Sequence, residues 1–493
     1  MKRHLVAHVS MLIRLDKYIH FCRQAECPTA GAGKGLGVIL NTEKQESGGR
    51  TEISALFDAG TFVELGAYVR RKGDRETYDA VLCGYGAVEG KLTFAFAQDC
   101  DRLGGAFDET GAEKVEKLYQ QAIRSGAPVV GIFNSAGAVV FDGAPALSAY
   151  GRLMKCVSDA SGVVPQIALI SGVCAGMAAV AASLFDVSVA VKGDSELYIN
   201  PPSIVGKETG GAAYAAAGGL VSLVAEDAGA ARAAVRSLID LLPLNNRDTA
   251  DVDATDDPGR PVTVTGLAGG ELAAALADGG RVVSLYADYG KELFTGLCRM
   301  GGRAVGVVAS DPTVSEGRLS TAGAKKAARL VSFCDSFSLP VVTLVDSVGV
   351  EDGADPALAP ALGRLATAYL ASTTAKVTCV TGKAYGAAFT LLGSRALGAD
   401  LALALPEAVI SVLPPESAVA FVWNDKVSTD TPRETVEAQW RELYATPRAA
   451  AESGDIDDVI APEELRARLC AALYMLAGKA DGTPDRKHGT MPL

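Results

Sequence analysis

Between residues 21 and 487 the chain has no histidine: His4, His8 and His20 precede that span and His488 follows it. A Ser-His-Asp triad, a Cys-His nucleophile pair and a histidine-ligated zinc are thereby excluded from the body of the protein. The ten cysteines contain no CxxC pair, so a zinc ribbon is excluded as well and no metal is expected. Cys83, Cys298, Cys334 and Cys379 stand in apolar stretches, which predicts reduced core thiols. Basic residues are in deficit, with 46 Lys and Arg against 58 Asp and Glu, and a net charge of −12 argues against nucleic acid as a partner. The GAGKGLG segment at 31–37 lacks the GxxxxGK[ST] spacing and follows no strong strand, so it is not a phosphate loop. The apolar stretch from Leu5 to Ile13 is broken by His8 and Ser10 and has no small-residue cleavage site, which predicts a cytoplasmic protein. The run from Val163 to Phe185 divides into a buried strand QIALI, a turn SGVCAG and a small-residue helix MAAVAASLF, a pattern that argues against a membrane span.

What is present is a globular chain of 493 residues, 49% hydrophobic and 21% charged, with an internal repeat. The segment from Gly90 to Asp99 reads as a glycine turn, a buried strand and an acid, and the segment from Gly302 to Asp311 reads the same way. A predicted helix follows each, over Glu109 to Ser125 and Thr321 to Phe337, and ends before a proline. Pro128 and Pro340 are separated by the same offset as Asp99 and Asp311, so the two copies run in register. Each proline opens a second buried strand, and further on Gly176 and Gly386 share a third strand-to-helix turn. Alternating strands and helices in two copies predict an α/β protein built by duplication. The acidic, Pro- and Gly-containing stretch at 247–261 reads as a linker. The predicted organisation is a flexible leader over 1–48, one domain over 49–262 and a second over 263–493, with further helices at 434–443 and 463–477.

The repeated turn carries chemistry. In both copies a buried strand runs into a glycine and opens a small-residue helix, at Cys174-Ala175-Gly176-Met177 and at Ala384-Tyr385-Gly386-Ala387. Backbone N–H groups at such a turn suit an anion or a developing oxyanion, and small flanking residues allow close approach. Gly176, Met177, Gly386 and Ala387 are therefore candidate hole formers; the alternative is that the glycines serve helix–sheet packing alone. Asp99 and Asp311 read as turn caps, and Tyr385 as a packed aromatic.

The segments LFDAGTFVELGAYV (56–69), AQDCDRLGG (97–105), SGVVPQIALISGVCAG (161–176), FCDSFSLPVVTLVD (333–346), KAYGAAF (383–389) and the ending KHGTMPL resemble the carboxyltransferase subunits of biotin-dependent enzymes. The resembled proteins are the propionyl-CoA carboxylase β subunit and the α subunits of methylmalonyl- and glutaconyl-CoA decarboxylases. The resemblance covers about residues 49–493 and implies two tandem crotonase-like (ClpP/crotonase) domains, in a hexamer arranged as a trimer of dimers. It implies that the first hole receives the thioester carbonyl of a short acyl-CoA such as acetyl-, propionyl- or methylmalonyl-CoA. Ser135, Ala136, Gly137, Ala138, Cys174 and Ala175 then lie on the acyl-CoA side. The second hole receives the ureido carbonyl of biotin, with Ala384, Tyr385, Phe389 and Thr390 on that side. The resemblance implies that carboxybiotin releases CO2, that its ureido nitrogen takes the α-proton, and that the thioester enolate attacks CO2. The base comes from the cofactor, which agrees with a body free of histidine.

Neither a biotin-attachment lysine between two methionines nor an ATP loop is found. The implied partners are therefore a separate biotin carboxyl carrier protein and either a biotin carboxylase subunit or the membrane subunits of a sodium-pumping decarboxylase, where the protein would sit at the membrane periphery. The chain also departs from the family pattern. Asp-Ser-Gly-Gly-Ala-Arg is Asn134-Ser135-Ala136-Gly137-Ala138-Val139, the paired glycines are Gly176-Met177 and Gly386-Ala387, and Asp-x-Pro-Gly-Phe is Asp346-Ser347-Val348-Gly349-Val350. An aspartate that tunes substrate choice in the carboxylases is Thr390, and a lysine near the second hole is Glu416. Two other classes compete: a crotonase-like hydratase or thioesterase, which the doubled domain argues against, and a non-catalytic acyl-CoA-binding subunit, which the altered Arg and Gly positions motivate.

Overall fold

The computed structural model describes residues 47–482 and 489–490, apart from 75, 136, 207, 208 and 254. The expected leader thus lies almost wholly outside the described residues, as do all four histidines, Ala136 and most of the KHGTMPL ending.

Two mixed sheets of eight strands each carry the chain. The first is built from β1 (Val63–Leu65), β2 (Val81–Val88), β3 (Lys91–Gln98), β4 (Val129–Ser135), β5 (Gln166–Ala175), β6 (Val187–Val191), β7 (Glu196–Tyr198) and β8 (Leu223–Ala225). The second repeats the plan with β9 (Val282–Ser284), β10 (Leu293–Met300), β11 (Arg303–Ser310), β12 (Val341–Ser347), β13 (Lys376–Tyr385), β14 (Leu401–Ala404), β15 (Val409–Ser411) and β16 (Asp458–Val459). The order is β1-β2-β3-β4-β5-β6-β8 in one and β16-β14-β13-β12-β11-β10-β9 in the other, with β7 and β15 added beside the ends of β5 and β13. Each sheet begins as an antiparallel ribbon and continues in parallel.

Local sequence explains the hairpins. Glu89 and Gly90 both have positive φ between paired Val88 and Lys91, and Gly301 and Gly302 do the same between Met300 and Arg303, the two-residue turn whose twist suits a hairpin. The central strands read as unbroken apolar runs because helices cover both faces. Helix Glu109–Ser125 has the predicted bounds and is capped by Asp108, which accepts from the Gly111 amide at 2.9 Å; Thr321–Ser336 is capped in the same way by Ser320.

One expectation is corrected. SGVCAG is not a turn: β5 continues through it to Ala175, because β7 supplies hydrogen-bond partners from Val173 onward. β13 is extended to Tyr385 by β15 in the same manner. The turn shrinks to a single glycine in each half.

Between helices Ala228–Leu241 and Gly269–Leu276 the described residues form no helix or strand. One apolar cluster joins the halves, uniting Leu238 and Ile239 with Leu285, Leu293 and Leu297. The chain thus folds as two tandem halves of one plan in mutual contact. Among the described residues no helix is long and apolar enough to cross a membrane, and no His, Cys, Asp or Glu group is arranged to hold a metal.

Candidate active site

Each glycine turn is set by backbone geometry. Gly176 has φ 60° and ψ −123°, and Gly386 has φ 52° and ψ −125°, the mirror image of an extended conformation and one that a side chain disfavours. Both glycines spend their own N–H groups: Gly176 donates to the Tyr198 carbonyl at 2.8 Å and Gly386 to that of Ser411 at 2.9 Å. These bonds narrow the expected pair of donors in each turn. The glycines hold the angle, and the donors left over are the amides of Met177 and Ala387. As first residues of helices Met177–Ser183 and Ala387–Leu391 they have no intrahelical acceptor. Met177 and Ala387 also sit at the surface, where a carbonyl can reach them.

A second pair of donors comes from the neighbouring strand ends. Ser135 is buried, and its hydroxyl accepts from the Gly137 amide at 3.0 Å and donates to the Gly137 carbonyl at 3.2 Å. Ser347 and Gly349, their counterparts in the second copy, repeat both bonds at 3.1 and 3.3 Å. Gly137 and Gly349 have φ of 117° and 129° and lie against the carbonyls of Ala175 and Tyr385, so the serine turns pack beside the glycine turns. In the second half the Leu319 amide donates to the Gly349 carbonyl and the Glu351 amide to that of Leu319, which passes over the Val350 N–H. Ala138 occupies the same skipped position, beside Phe107, whose amide donates to the Gly137 carbonyl. Ala138 and Met177 in the first half, and Val350 and Ala387 in the second, are therefore matched candidate donors. Val350 escaped the sequence reading as a donor. Its place opposite Ala138 in the repeat was the signal that points to it.

The remaining expected residues divide by burial. The Cys174 side chain is in the core, where desolvation pushes its thiol up to about 12, so this residue offers the site backbone alone. Ala384 is likewise in the core, and Tyr385 packs against Val409 and Ala445, its phenol raised by burial and then by the Glu416 carboxylate. Gly386, Ala387, Phe389 and Thr390 come together around an open cavity of about 610 Å³, bordered by Val412, Leu443 and Tyr444. Ala175 stands at the end of β5 beside the first turn. Asp99 caps as expected, accepting from the Gly49 and Asp101 amides and pairing with Arg102, and Asp311 accepts from Thr313.

Comparison with known proteins places this geometry. The carboxyl transferase domain matches residues 43–491. The chain is 33% identical to the propionyl-CoA carboxylase carboxyltransferase subunit of Haloferax mediterranei over 92% of its own length and 94% of the relative's. It is also 33% identical to the methylmalonyl-CoA decarboxylase α subunit of Veillonella parvula, over 93% and 96%. Among solved structures, the transcarboxylase 12S hexamer core with hydrolysed methylmalonyl-CoA bound superposes with a TM-score of 0.86 at 31% identity, covering 97% of this chain and 98% of that one. A match over nearly the whole length, with a duplicated fold and duplicated turns, means that this chain belongs to the carboxyl transferase domain family.

Proposed function

We propose that the protein moves a carboxyl group between biotin on a carrier protein and a short acyl-CoA. The matched donor pairs carry this reading, because the reaction develops negative charge on two carbonyl oxygens. Ala138 and Met177 receive the thioester oxygen, and Val350 and Ala387 receive the ureido oxygen of biotin. Each backbone donor aimed at a developing oxyanion contributes roughly 2.7–4 kcal/mol. The donor set needs no metal and no imidazole. Ser135, Gly137 and Ala175 fix the first pair; Gly386, Phe389, Thr390 and the cavity walls hold the biotin bicycle, to which a largely apolar cavity beside the Ala387 amide is suited. When bound, biotin supplies the carboxyl group and the nitrogen that takes the α-proton. The side chains do none of the proton transfer; they exclude water and orient the two carbonyls.

The same site serves transfer in either direction, and relatives named as decarboxylase α subunits favour keeping decarboxylation as the second reading. A separate biotin carrier is the partner this reading requires, with a biotin carboxylase or membrane pump subunits completing the complex. Exposed apolar side chains lie on the helices that follow β7 and β15, Ile204 and Val205 in one half and Phe421 and Val422 in the other, in keeping with a hexamer. The test is decarboxylation of malonyl-, methylmalonyl- and glutaconyl-CoA by the pure protein with and without high free biotin. Biotin-dependent CO2 release from one ester is expected and names the acyl group; CoA-ester binding without any turnover, even with the carrier supplied, overturns the catalytic reading.

A further inference from the structure

The duplicated halves differ in the group set beside one buried lysine. Lys114 and Lys326 hold the same place on helices Glu109–Ser125 and Thr321–Ser336, and both are buried. In the first half Nζ of Lys114 lies 2.9 Å from Asp79 and also donates to the Val81 carbonyl. The residue that the repeat sets opposite Asp79 is Lys291, so the second half has exchanged the neutralising acid for a base. Lys291 itself pairs outward with Asp288 at 3.4 Å. Lys326 donates to the Tyr286 carbonyl at 3.2 Å. Glu292 and then Asp288 lend it a favourable field, while Oε1 of Glu292 also accepts from the amide and hydroxyl of Ser320. Burial outweighs that field and lowers the Lys326 ammonium to about 8.

Lys326 opens onto a cavity of about 460 Å³ between the halves. Lys325, Arg329 and Arg364 join it on the second-half wall; Asp186 is the one carboxylate among the described residues of the lining. The aromatic ring of Tyr289 packs beside Gly219, where a Cβ would come within 3.1 Å of it. On a chain of net charge −12, four basic side chains around one cleft run against the overall balance, a lining suited to an anion.

We propose that this cleft binds a diphosphate-bearing anion of nucleotide size, held by Lys325, Lys326, Arg329 and Arg364. An ammonium has three donors, and Lys326 uses one on Tyr286, leaving two for phosphate oxygens. Arg329 already ties the halves together, donating from Nη2 to the Phe185 and Asp186 carbonyls and from Nε to the Tyr286 hydroxyl at 2.7 Å, so an anion on its free edge stiffens the same joint. The volume lies within the range of small-ligand pockets. The site is separate from both glycine turns, and its binding readout stands apart from turnover.

The decisive probe is pyrophosphate, titrated calorimetrically into the purified protein at low salt. Saturable uptake near one per chain is expected, weakened about tenfold in Lys326→Gln by loss of a charge-assisted contact. Lys325→Glu, a change at an exposed position, is expected to weaken it by at least as much and guards against misfolding of the buried variant. Both variants are expected to keep biotin-dependent turnover. Displacement of pyrophosphate by ADP assigns the site to free nucleotides, and displacement by CoA alone assigns it to a second molecule of CoA. Absence of saturable pyrophosphate uptake by the unaltered protein, or uptake unchanged in both variants, overturns the proposal.

Discussion

At Gly176 and Gly386 the backbone angle matters more than the missing side chain. A Cβ on Gly176 would find its nearest neighbour, the Ile199 carbonyl, 4.0 Å away, and one on Gly386 would meet Val412 at 3.1 Å. A substituent has room at Gly176 and is tight against backbone at Gly386; at both the conformation disfavours one, at a cost of about 1–3 kcal/mol. Gly176→Val and Gly386→Val are therefore expected to fold but to rotate the turn and lose about 100-fold or more in turnover, read as biotin-dependent decarboxylation alongside the melting temperature. Normal turnover in both would refute the oxyanion assignment. A cleaner probe removes the donor and leaves the shape. Proline is favoured at the first position of a helix, and the mirror-extended ψ of the preceding glycine accommodates it, so Met177→Pro and Ala387→Pro delete one N–H each. The expectation is a fall in kcat of about 100- to 1,000-fold with an intact fold by circular dichroism. Retained kcat would move the donor role away from Met177 and Ala387.

At the scale of elements, the repeat made strands, helices and the two glycine turns legible, since one constant offset matches Asp99 to Asp311 and Pro128 to Pro340 without any structure. The same offset pairs Ala138 with Val350, yet composition hides the match because alanine and valine share no chemistry that marks an amide donor. Nor could the sequence tell that the amides of Gly176 and Gly386 are consumed by Tyr198 and Ser411, because β7 and β15 lie remote in the chain and pair only after folding. Long-range packing also separates equivalent acids. Asp186 and Asp400 each cap the start of a central strand, accepting from the amides of Gln166 and Lys376 at 2.8 Å. Asp400 has Lys479 at 2.9 Å, whereas Asp186 has only the field of Arg329 from the other half, and desolvation pushes it up to about 7. An acid raised on folding retains its proton in the native state. Its stabilising share is therefore present below the unfolded value of about 3.9 and is lost as pH rises to about 7, at no more than about 1.4 kcal/mol per pH unit. Asp186→Asn keeps an acceptor for Gln166 and is expected to flatten the decline in urea midpoint between pH 5 and 7; an equal decline in both proteins would reject this origin.

At the scale of the whole molecule, the halves are locked together before any partner arrives. The Tyr286 amide donates to the Ser222 carbonyl at 2.6 Å, Arg329 reaches Phe185 and Asp186, and one apolar cluster runs through both sheets. The apolar surface left over is not spread at random. Ile204 is 77% exposed in helix Pro202–Val205, which follows β7, and Phe421 is 85% exposed in helix Pro415–Val422, which follows β15. Those two strands pin the ends of β5 and β13, so each patch follows in the chain the strand that sets one of the glycine turns. Covering such side chains with another copy removes apolar area worth about 25 cal/mol per Å², and a charge placed among them reverses the sign. Because the two donor pairs occupy separate halves, a contact between copies that meets both patches also brings a first-half turn near a second-half turn. Ile204→Glu and Phe421→Glu are therefore each expected to shift the sedimentation profile to smaller species and to remove biotin-dependent turnover, while circular dichroism stays unchanged. A full-size assembly with full activity in both variants would show that these patches meet something other than another copy of this chain.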